Sequence, residues 1–187
     1  MVQPFILASG SDIRAQLLRQ ANVPFEIARP RVDEDMIKDA MIAEGASPRD
    51  IADTLAEMKA RKISEKNPEA LVLGSDQVLD HQGKLFSKPE TIDDAQHQLR
   101  TLRNDGHTLL SAAVICENGK PIWRHIGQVR LRMRDFTDDY LQDYLERNWE
   151  SIRHAVGCYK LEEEGVRLFS NIQGDYFHVL GLPLIEL

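Results

Sequence analysis

The chain has 187 residues, of which 42% are hydrophobic and 28% are charged, with a formal net charge of −7. This length suits one domain with a sizeable hydrophobic core, so we predict a single domain over residues 1–187. The acidic balance argues against a nucleic-acid partner, although local lysines and arginines can still bind a small anionic ligand. The apolar runs are too short to span a membrane and no signal-peptide pattern is visible, so we expect a cytoplasmic protein with no membrane partner.

The first half of the chain alternates short apolar runs with helical patterns. Residues 3–8 predict a buried strand, which Ser9-Gly10-Ser11 interrupts, and helical spacing then predicts a helix that begins at Ser11 or Asp12. The elements predicted further along are a strand over 25–28, a charged loop over 29–36, a helix from Ser47-Pro48 to about Glu65, and a buried strand over 70–74.

The second half adds hairpin signals to this pattern. Residues 78–86 predict a hairpin around His81-Gln82-Gly83, and Asn118-Gly119 predicts a tight turn between strands over 107–117 and 121–133. The other predicted elements are a helix over about 92–102, a helix from Thr137 to about Arg147, and a strand near 166–169. Helices mixed with parallel-type and hairpin strands predict an α/β fold with a mixed sheet.

The segment Ser9-Gly10-Ser11-Asp12-Ile13-Arg14 is the first candidate for anion binding. Gly10 would let the backbone approach a ligand, and a helix N-terminus offers free N–H groups with a partial positive charge. Ser9 and Ser11 add hydroxyl groups, and the guanidinium of Arg14 suits a phosphate. The competing interpretation is a plain helix cap with a solvated Arg14.

Two acidic segments could hold a metal ion or activate water. Val32-Asp33-Glu34-Asp35 places several carboxylates in a predicted loop, and Mg²⁺ binds carboxylate and phosphate oxygens together. Asp76, in Gly74-Ser75-Asp76-Gln77, follows a continuous apolar strand, where α/β sheets place their ligands, and could bind a metal or accept a proton from water. A solvated acidic loop and an Asx turn are the competing interpretations.

The other polar residues give weaker signals when each is taken alone. Lys59 follows an apolar helix face and Lys88 precedes a proline in a loop, so each resembles an ordinary solvated lysine. The segment Gly157–Glu162 could hold a base through its tyrosine and glutamate, or could serve only packing. The six histidines show no metal-ligand spacing, so structural or surface roles are expected, and the two cysteines are expected to be reduced thiols.

Taken in order, these segments resemble the Maf family, the septum-formation proteins regarded as nucleoside triphosphate pyrophosphatases. The resemblance covers nearly the whole chain. Its segments are Ile6–Leu18, Val32–Glu34, Leu55–Ala60, Gly74–Val78, Lys88-Pro89, Gly157–Glu162 and Gly174–Leu184. The resemblance implies a Maf/ITPase-like α/β fold, in which a mixed twisted β-sheet with flanking helices forms two lobes around a deep cleft, and it implies a homodimer.

The resemblance also implies an enzyme that cleaves a nucleoside triphosphate into the monophosphate and pyrophosphate with a divalent metal cation, Mg²⁺ or Mn²⁺. Asp76 falls on the family's catalytic aspartate, a general base toward water, and together with Glu34 it would hold the metal. The residues implied in phosphate binding are Ser9, Ser11, Arg14, Lys59 and Lys88. The alternatives are a nucleotide-binding regulator of cell division with little or no catalysis, and a phosphoester hydrolase that releases orthophosphate.

Departures from the family pattern bear on the choice of base. The usual Ser-Pro-Arg-Arg is Ser11-Asp12-Ile13-Arg14 here, and the common Gly-Lys-Pro is Ser87-Lys88-Pro89. Gln77 and Glu162 look like the subgroup that prefers 7-methyl-GTP more than the subgroup that acts on dTTP and UTP. A carboxylate suits the N–H donors of a guanine edge and the positive charge of a methylated guanine. We therefore predict that Ile13, Gln77 and Glu162 select the base, although Ile13 matches neither subgroup.

Overall fold

The computed structural model describes residues 2–187 and divides them into two compact units. The first unit comprises the described residues up to Gln77, together with Leu110–Gly127 and Tyr176–Leu187. The second comprises Val78–Leu109 and Gln128–Asp175. The assignment of residues 1–187 to one domain stays a prediction.

Seven strands among residues 2–187 form a mixed sheet. They are β1 (Phe5–Ala8), β2 (Glu26–Ile27), β3 (Leu71–His81), β4 (Lys84–Phe86), β5 (Gly106–Glu117), β6 (Lys120–Met133) and β7 (Phe169–Gln173). Their order is β2-β1-β3-β5-β6-β7, and β4 pairs with β3. Strand β1 is parallel to both of its neighbours, whereas β4 and β7 are antiparallel to β3 and β6. The predicted mixed α/β architecture is therefore confirmed.

Six α-helices accompany the sheet in the described part of the chain. They are α1 (Asp12–Gln20), α2 (Glu34–Ala43), α3 (Pro48–Ser64), α4 (Ile92–Leu102), α5 (Asp138–Ile152) and α6 (Tyr176–Leu180). A capping side chain accepts a hydrogen bond at the start of each of the first five, from Ser11, Asp33, Ser47, Thr91 and Thr137. Within residues 2–187, no helix combines the length and the apolar character that a membrane crossing requires.

Three predicted elements were wrong. The predicted loop over 29–36 contains the start of α2 at Glu34, a helix whose ten residues, all of them described, include none that is buried, so no apolar stripe announced it. Strand β3 continues to His81, which places Asp76 inside a buried strand and not after its end. The predicted strand near 166–169 is a 3₁₀ helix, Glu164–Leu168, followed by β7.

Gly74 determines how closely helix α3 lies against strand β3. A Cβ atom at Gly74 would lie 2.2 Å from the carbonyl oxygen of Ala56 and 2.6 Å from the amide nitrogen of Ala60, so only glycine fits against the backbone of this helix. The packed face of α3 is apolar and includes Ile51 and Leu55, both almost fully buried. Gly74 therefore brings one turn of α3 next to the residues that follow it in β3.

Tyr159 marks the core of the second unit. Its ring packs edge-on against Phe169, with centroids 4.7 Å apart, and its hydroxyl lies 2.8 Å from Nε2 of the buried His107. Burial lowers the pKa of His107 to about 4 and raises the pKa of Tyr159 above its ordinary value. Cys158 is also buried, and both cysteines among the described residues carry free thiols, as predicted.

Candidate functional site

A buried lysine lies between two carboxylates in the first unit. Lys59 Nζ is 2.7 Å from Glu34 Oε1 and 2.8 Å from Asp76 Oδ1, and it also donates to the carbonyl of Ser75 at 3.4 Å. The side chains of Lys59 and Asp76 are only 8% and 9% exposed, whereas Glu34 is 46% exposed. The interpretation of Lys59 as a solvated surface lysine is therefore wrong. We call Glu34, Lys59 and Asp76 the lysine cluster.

Burial dominates the electrostatics of Asp76. Loss of water around the carboxyl raises the pKa of Asp76 above its ordinary value, and Glu34 adds to this rise. The charge and hydrogen bond of Lys59, and the charge of Arg14, oppose it without cancelling it. A carboxylate with a raised pKa is a stronger base than a solvated aspartate, so Asp76 is suited to accept a proton from water.

Arg14 connects the turn after β1 to the segment around α6. Its Nε donates to the carbonyl oxygen of Gly181 at 2.7 Å, and its Nη1 lies 3.5 Å from Ser9 Oγ. A Cβ atom at Gly181 would lie 3.2 Å from Arg14 Nη2. In the same turn, the backbone N–H of Ser11 donates to Ser9 Oγ at 3.1 Å, and Ser11 Oγ caps α1. Serine hydroxyls, the helix N-terminus and a guanidinium thus lie together, as an anion site requires.

A pocket of about 40 Å³ opens at this turn. Its lining consists of Ser9, Gly10, Ser11, Asp12, Ala15, Arg19, Ile27 and Arg29. Two of these lining residues, Arg19 and Arg29, were not predicted from the sequence, and Arg29 brings its Nε to within 3.9 Å of where a Cβ atom at Gly10 would lie. Strands β1 and β2 are parallel, so the residues that follow them meet at one sheet edge, and this placement could have singled out Arg29.

Gln77 and Ser75 flank Asp76 and are both bound to the α6 segment. The side-chain Nε2 of Gln77 donates to the backbone carbonyls of His178 and Val179, at 3.0 Å and 2.9 Å. The hydroxyl of Ser75 lies 2.9 Å from the carbonyl oxygen of Gly181. The strand that carries Asp76 is thereby fixed on both sides of the carboxylate. Ile13 is half-buried in the first turn of α1.

Lys88 and Glu162 belong to the second unit. Lys88 is exposed in the segment after β4, next to the buried Pro89. Glu162 is exposed in a turn before the 3₁₀ helix. Tyr159, three residues before Glu162, is buried and packs in the core. Of the tyrosine and the glutamate in this segment, only the carboxylate of Glu162 is therefore accessible.

The carboxylates of the lysine cluster fit a hard divalent cation by donor type. Glu34 and Asp76 each lie next to the same positive charge, at 2.7 Å and 2.8 Å from Lys59 Nζ, so both belong to one small region of the first unit. Mg²⁺ binds oxygen ligands and commonly takes one or two carboxylates together with substrate phosphates. The pair therefore has the composition of such a site, with Lys59 balancing its negative charge.

The chain is an α/β protein whose site combines a buried aspartate and lysine with a serine turn at a helix N-terminus. The sequence profile described as "Maf-like protein" matches residues 4–187, and the chain belongs to this family.

Its curated relatives carry a more specific name. A protein named nucleoside triphosphate pyrophosphatase in Roseobacter denitrificans is 71% identical over 187 residues, which cover 100% of this chain and 94% of the relative. A protein of the same name in Ruegeria pomeroyi is 66% identical, with the same coverage of 100% and 94%. Another, in Caulobacter vibrioides, is 50% identical over 184 residues, which cover 98% of this chain and 92% of the relative.

Proposed function

We propose that this protein is a nucleoside triphosphate pyrophosphatase, which hydrolyses a nucleoside triphosphate to the monophosphate and pyrophosphate. The observation that carries the proposal is the buried carboxylate of Asp76, paired with Lys59 and interacting electrostatically with Arg14, whose turn offers an anion site. The name shared by relatives at 50–71% identity supports the same activity.

Glu34 and Asp76 are the residues that would hold a divalent cation, Mg²⁺ or Mn²⁺. When bound, such an ion withdraws charge from phosphate oxygens and makes the phosphorus easier to attack. The side chain of Glu34 is half-exposed at the start of α2, so it can adjust to a ligand while Asp76 stays fixed in β3.

Asp76 acts as the general base. Its carboxylate accepts a proton from a water molecule, whose oxygen forms a bond to the α-phosphorus while the bond from that phosphorus to the α,β-bridging oxygen breaks. The bridging oxygen leaves with the pyrophosphate. Lys59 and Arg14 stabilise the negative charge on the phosphates, and Ser9 and Ser11 position them.

Lys88 and the base-selecting residues complete the proposal. Lys88 would bind a phosphate, a role that rests on the motif it shares with the family. Gln77, Ile13 and Glu162 would select the base, with 7-methyl-GTP as the preferred substrate, because a carboxylate complements a cationic guanine. A homodimer is proposed on the family resemblance, and a cytoplasmic location on the expectation from the apolar runs and the missing signal-peptide pattern.

Product analysis tests the activity. The purified protein is given Mg²⁺ or Mn²⁺ and a panel of canonical and modified nucleoside triphosphates, and the products are separated. Monophosphate and pyrophosphate from one or a few substrates are expected, with the highest rate on 7-methyl-GTP. Orthophosphate as the first product would contradict the reaction, and tight binding without hydrolysis would favour a regulatory nucleotide-binding role in septum formation.

The base preference needs a separate variant. In Glu162→Gln the rate on 7-methyl-GTP is expected to fall relative to the rates on the other panel members, because the amide keeps the shape of the side chain but not its charge. Unchanged relative rates across the bases would remove Glu162 from the specificity site.

A further inference from the structure

Two histidines and a glutamate converge in the first unit, although they are far apart in the sequence. His125 lies on β6, His178 on α6, and Glu186 in the turn near the end of the described chain. We call these three residues the histidine cluster. One possible ligand atom from each lies within 4.8 Å of the ligand atoms of the other two. This arrangement was not predicted from the sequence, because the two histidines have no metal-ligand spacing along the chain.

The distances within the histidine cluster suit a small metal ion. His178 Nε2 lies 3.0 Å from Glu186 Oε2, and His125 Nε2 lies 3.6 Å from Glu186 Oε1. A tetrahedral ion with bonds of about 2.0–2.1 Å holds neighbouring ligand atoms about 3.3 Å apart. Both observed separations are close to this value and all three ligand atoms lie within 4.8 Å of one another, so the histidine cluster is compact enough to admit an ion once its side chains adjust.

The protein holds these side chains in place. A Cβ atom at residue 127 would lie 2.0 Å from Nδ1 of His178, so the position of the buried imidazole requires Gly127. The ring of His125 stacks on Trp123, with centroids 6.5 Å apart. The third side chain, Glu186, is held by its contacts with both histidines, at 3.0 Å from His178 and 3.6 Å from His125.

The ligand set also indicates which metal would bind. Two imidazoles and one carboxylate suit Zn²⁺ and similar transition metals, whereas Mg²⁺ prefers oxygen ligands only. His178 is 8% exposed, but His125 and Glu186 are 36% and 31% exposed, so an ion could enter from solvent and keep a water as its fourth ligand. The carboxylates of the lysine cluster supply oxygen ligands only, so that cluster would prefer a hard cation such as Mg²⁺.

We propose that His125, His178 and Glu186 form a transition-metal site, best suited to Zn²⁺, that is distinct from the carboxylate pair Glu34 and Asp76. A bound ion would connect β6 and the last turn to α6. Two backbone carbonyls of the α6 segment accept side-chain hydrogen bonds. The carbonyl of His178 accepts from Gln77 and Ser111, and the carbonyl of Gly181 accepts from Arg14 and Ser75. The metal would therefore fasten the segment that positions Arg14 and Gln77.

Zn²⁺ titration by calorimetry, with the full chain in excess Mg²⁺ and without nucleotide, tests the site. Wild type is expected to bind one Zn²⁺ per chain. His125→Gln and Glu186→Gln are expected to weaken binding at least about tenfold, since each removes a ligand. These two residues are partly exposed, so their variants test the site without disturbing the buried His178.

Two controls separate this site from other metal-binding groups. Asp76→Asn is expected to bind Zn²⁺ as wild type does, because its carboxylate belongs to the other cluster, and so is His97→Gln, which alters an exposed histidine of α4. Zn²⁺ should also raise the Tm of wild type and of both controls but not of His125→Gln. Equal Zn²⁺ affinity in wild type and His125→Gln, loss of binding in Asp76→Asn, or no Zn²⁺ binding by wild type would each overturn the proposal.

Discussion

Helix α3 takes part in two clusters in which one cation contacts two carboxylates, one buried and one more exposed. In the lysine cluster, Lys59 lies between Glu34 and Asp76. In a second cluster, which we call the arginine cluster, Arg124 of β6 lies 2.7 Å from both Asp53 Oδ2 and Glu57 Oε2 of α3. In each cluster one cation contacts two carboxylates, although Glu57 also pairs with Arg61 at 2.5 Å, and the main difference between the clusters is their exposure to water. The side chain of Arg124 is 40% exposed, compared with 8% for Lys59.

This difference in burial reverses the electrostatic balance. In the arginine cluster, hydrogen bonding to Glu57 outweighs the loss of water, so the pKa of Arg124 is raised and the charged forms are favoured. In the lysine cluster, desolvation outweighs attraction, and the pKa of Asp76 is raised toward the neutral form. The exposed cluster is therefore an ordinary surface network, whereas the buried one holds a carboxylate that, when ionised, is a stronger base than a solvated aspartate.

The largest expected effect is the loss of hydrolysis in Asp76→Asn. The amide cannot accept a proton from water, so kcat should fall by about 10²–10⁴-fold. Glu57→Gln makes the same chemical change in the arginine cluster and should keep kcat within about threefold of wild type. Steady-state kinetics on the best substrate of the panel measures kcat for both variants. An equal loss of kcat in Asp76→Asn and Glu57→Gln would contradict the catalytic role given to the lysine cluster.

Removal of each cation gives the next comparison. Lys59→Met leaves the buried Asp76 without its closest counter-charge, and we expect a loss of about 3 kcal/mol in the free energy of unfolding, with a loss of activity. Arg124→Met should cost less, about 1 kcal/mol, because Glu57 keeps its ion pair with Arg61 and the side chains of Asp53 and Glu57 are 23% and 22% exposed, compared with 9% for Asp76. Urea unfolding measures both values. A cost for Arg124→Met as large as that for Lys59→Met would contradict the role given to burial.

The packing that creates the lysine cluster can be broken at Gly74. In Gly74→Ala the added Cβ meets the backbone of α3, so helix and strand must separate, and we expect a destabilisation of about 1–3 kcal/mol together with a lower kcat. Gly106→Ala is the matched control, because its Cβ would meet its nearest neighbour, the carbonyl oxygen of Leu131, at an ordinary 3.7 Å. Thermal unfolding and kinetics of both variants check the prediction, and a fully active, stable Gly74→Ala would refute it.

The smallest expected effect is a shift in the pH dependence of kcat/KM. Asp76 works as a base only when it is ionised, so kcat/KM should fall as the pH drops through its pKa, which burial raises above the range of an ordinary aspartate. Glu57→Gln should leave this acidic limb in place, whereas any residual activity of Lys59→Met should show it at higher pH, because Lys59 lowers the pKa of Asp76. A limb at the same pH in Lys59→Met would exclude Asp76 as the titrating group.

Local signals in the sequence predicted much of the fold. Ser47-Pro48 indicated the start of α3, and Asn118-Gly119, where both residues have positive φ, indicated the β5–β6 turn. These features depend on neighbouring residues alone, so a single sequence contains them. Helix α2 was not predicted because none of its residues is buried, although its N-cap residue, Asp33, is of a type that commonly begins a helix.

The candidate site was less accessible to sequence reasoning. The types of the site residues were evident from the sequence. The burial of Lys59, however, depends on the close packing of α3 against Gly74, and the position of Arg29 near the turn depends on the pairing of β1 with β2. Contacts of this kind join distant segments and leave no local pattern. The family resemblance, not the chemistry of single residues, is what selected Asp76 and Glu34 from among the acidic residues.

Hydrolysis in ¹⁸O-labelled water tests the central claim most directly, because it reports which phosphorus the activated water attacks. The best nucleoside triphosphate is converted by wild type in labelled water, and the products are analysed by mass spectrometry. We predict one ¹⁸O atom in the monophosphate and an unlabelled pyrophosphate. Label in the pyrophosphate, or release of labelled orthophosphate, would contradict water attack at the α-phosphorus and the function proposed for this site.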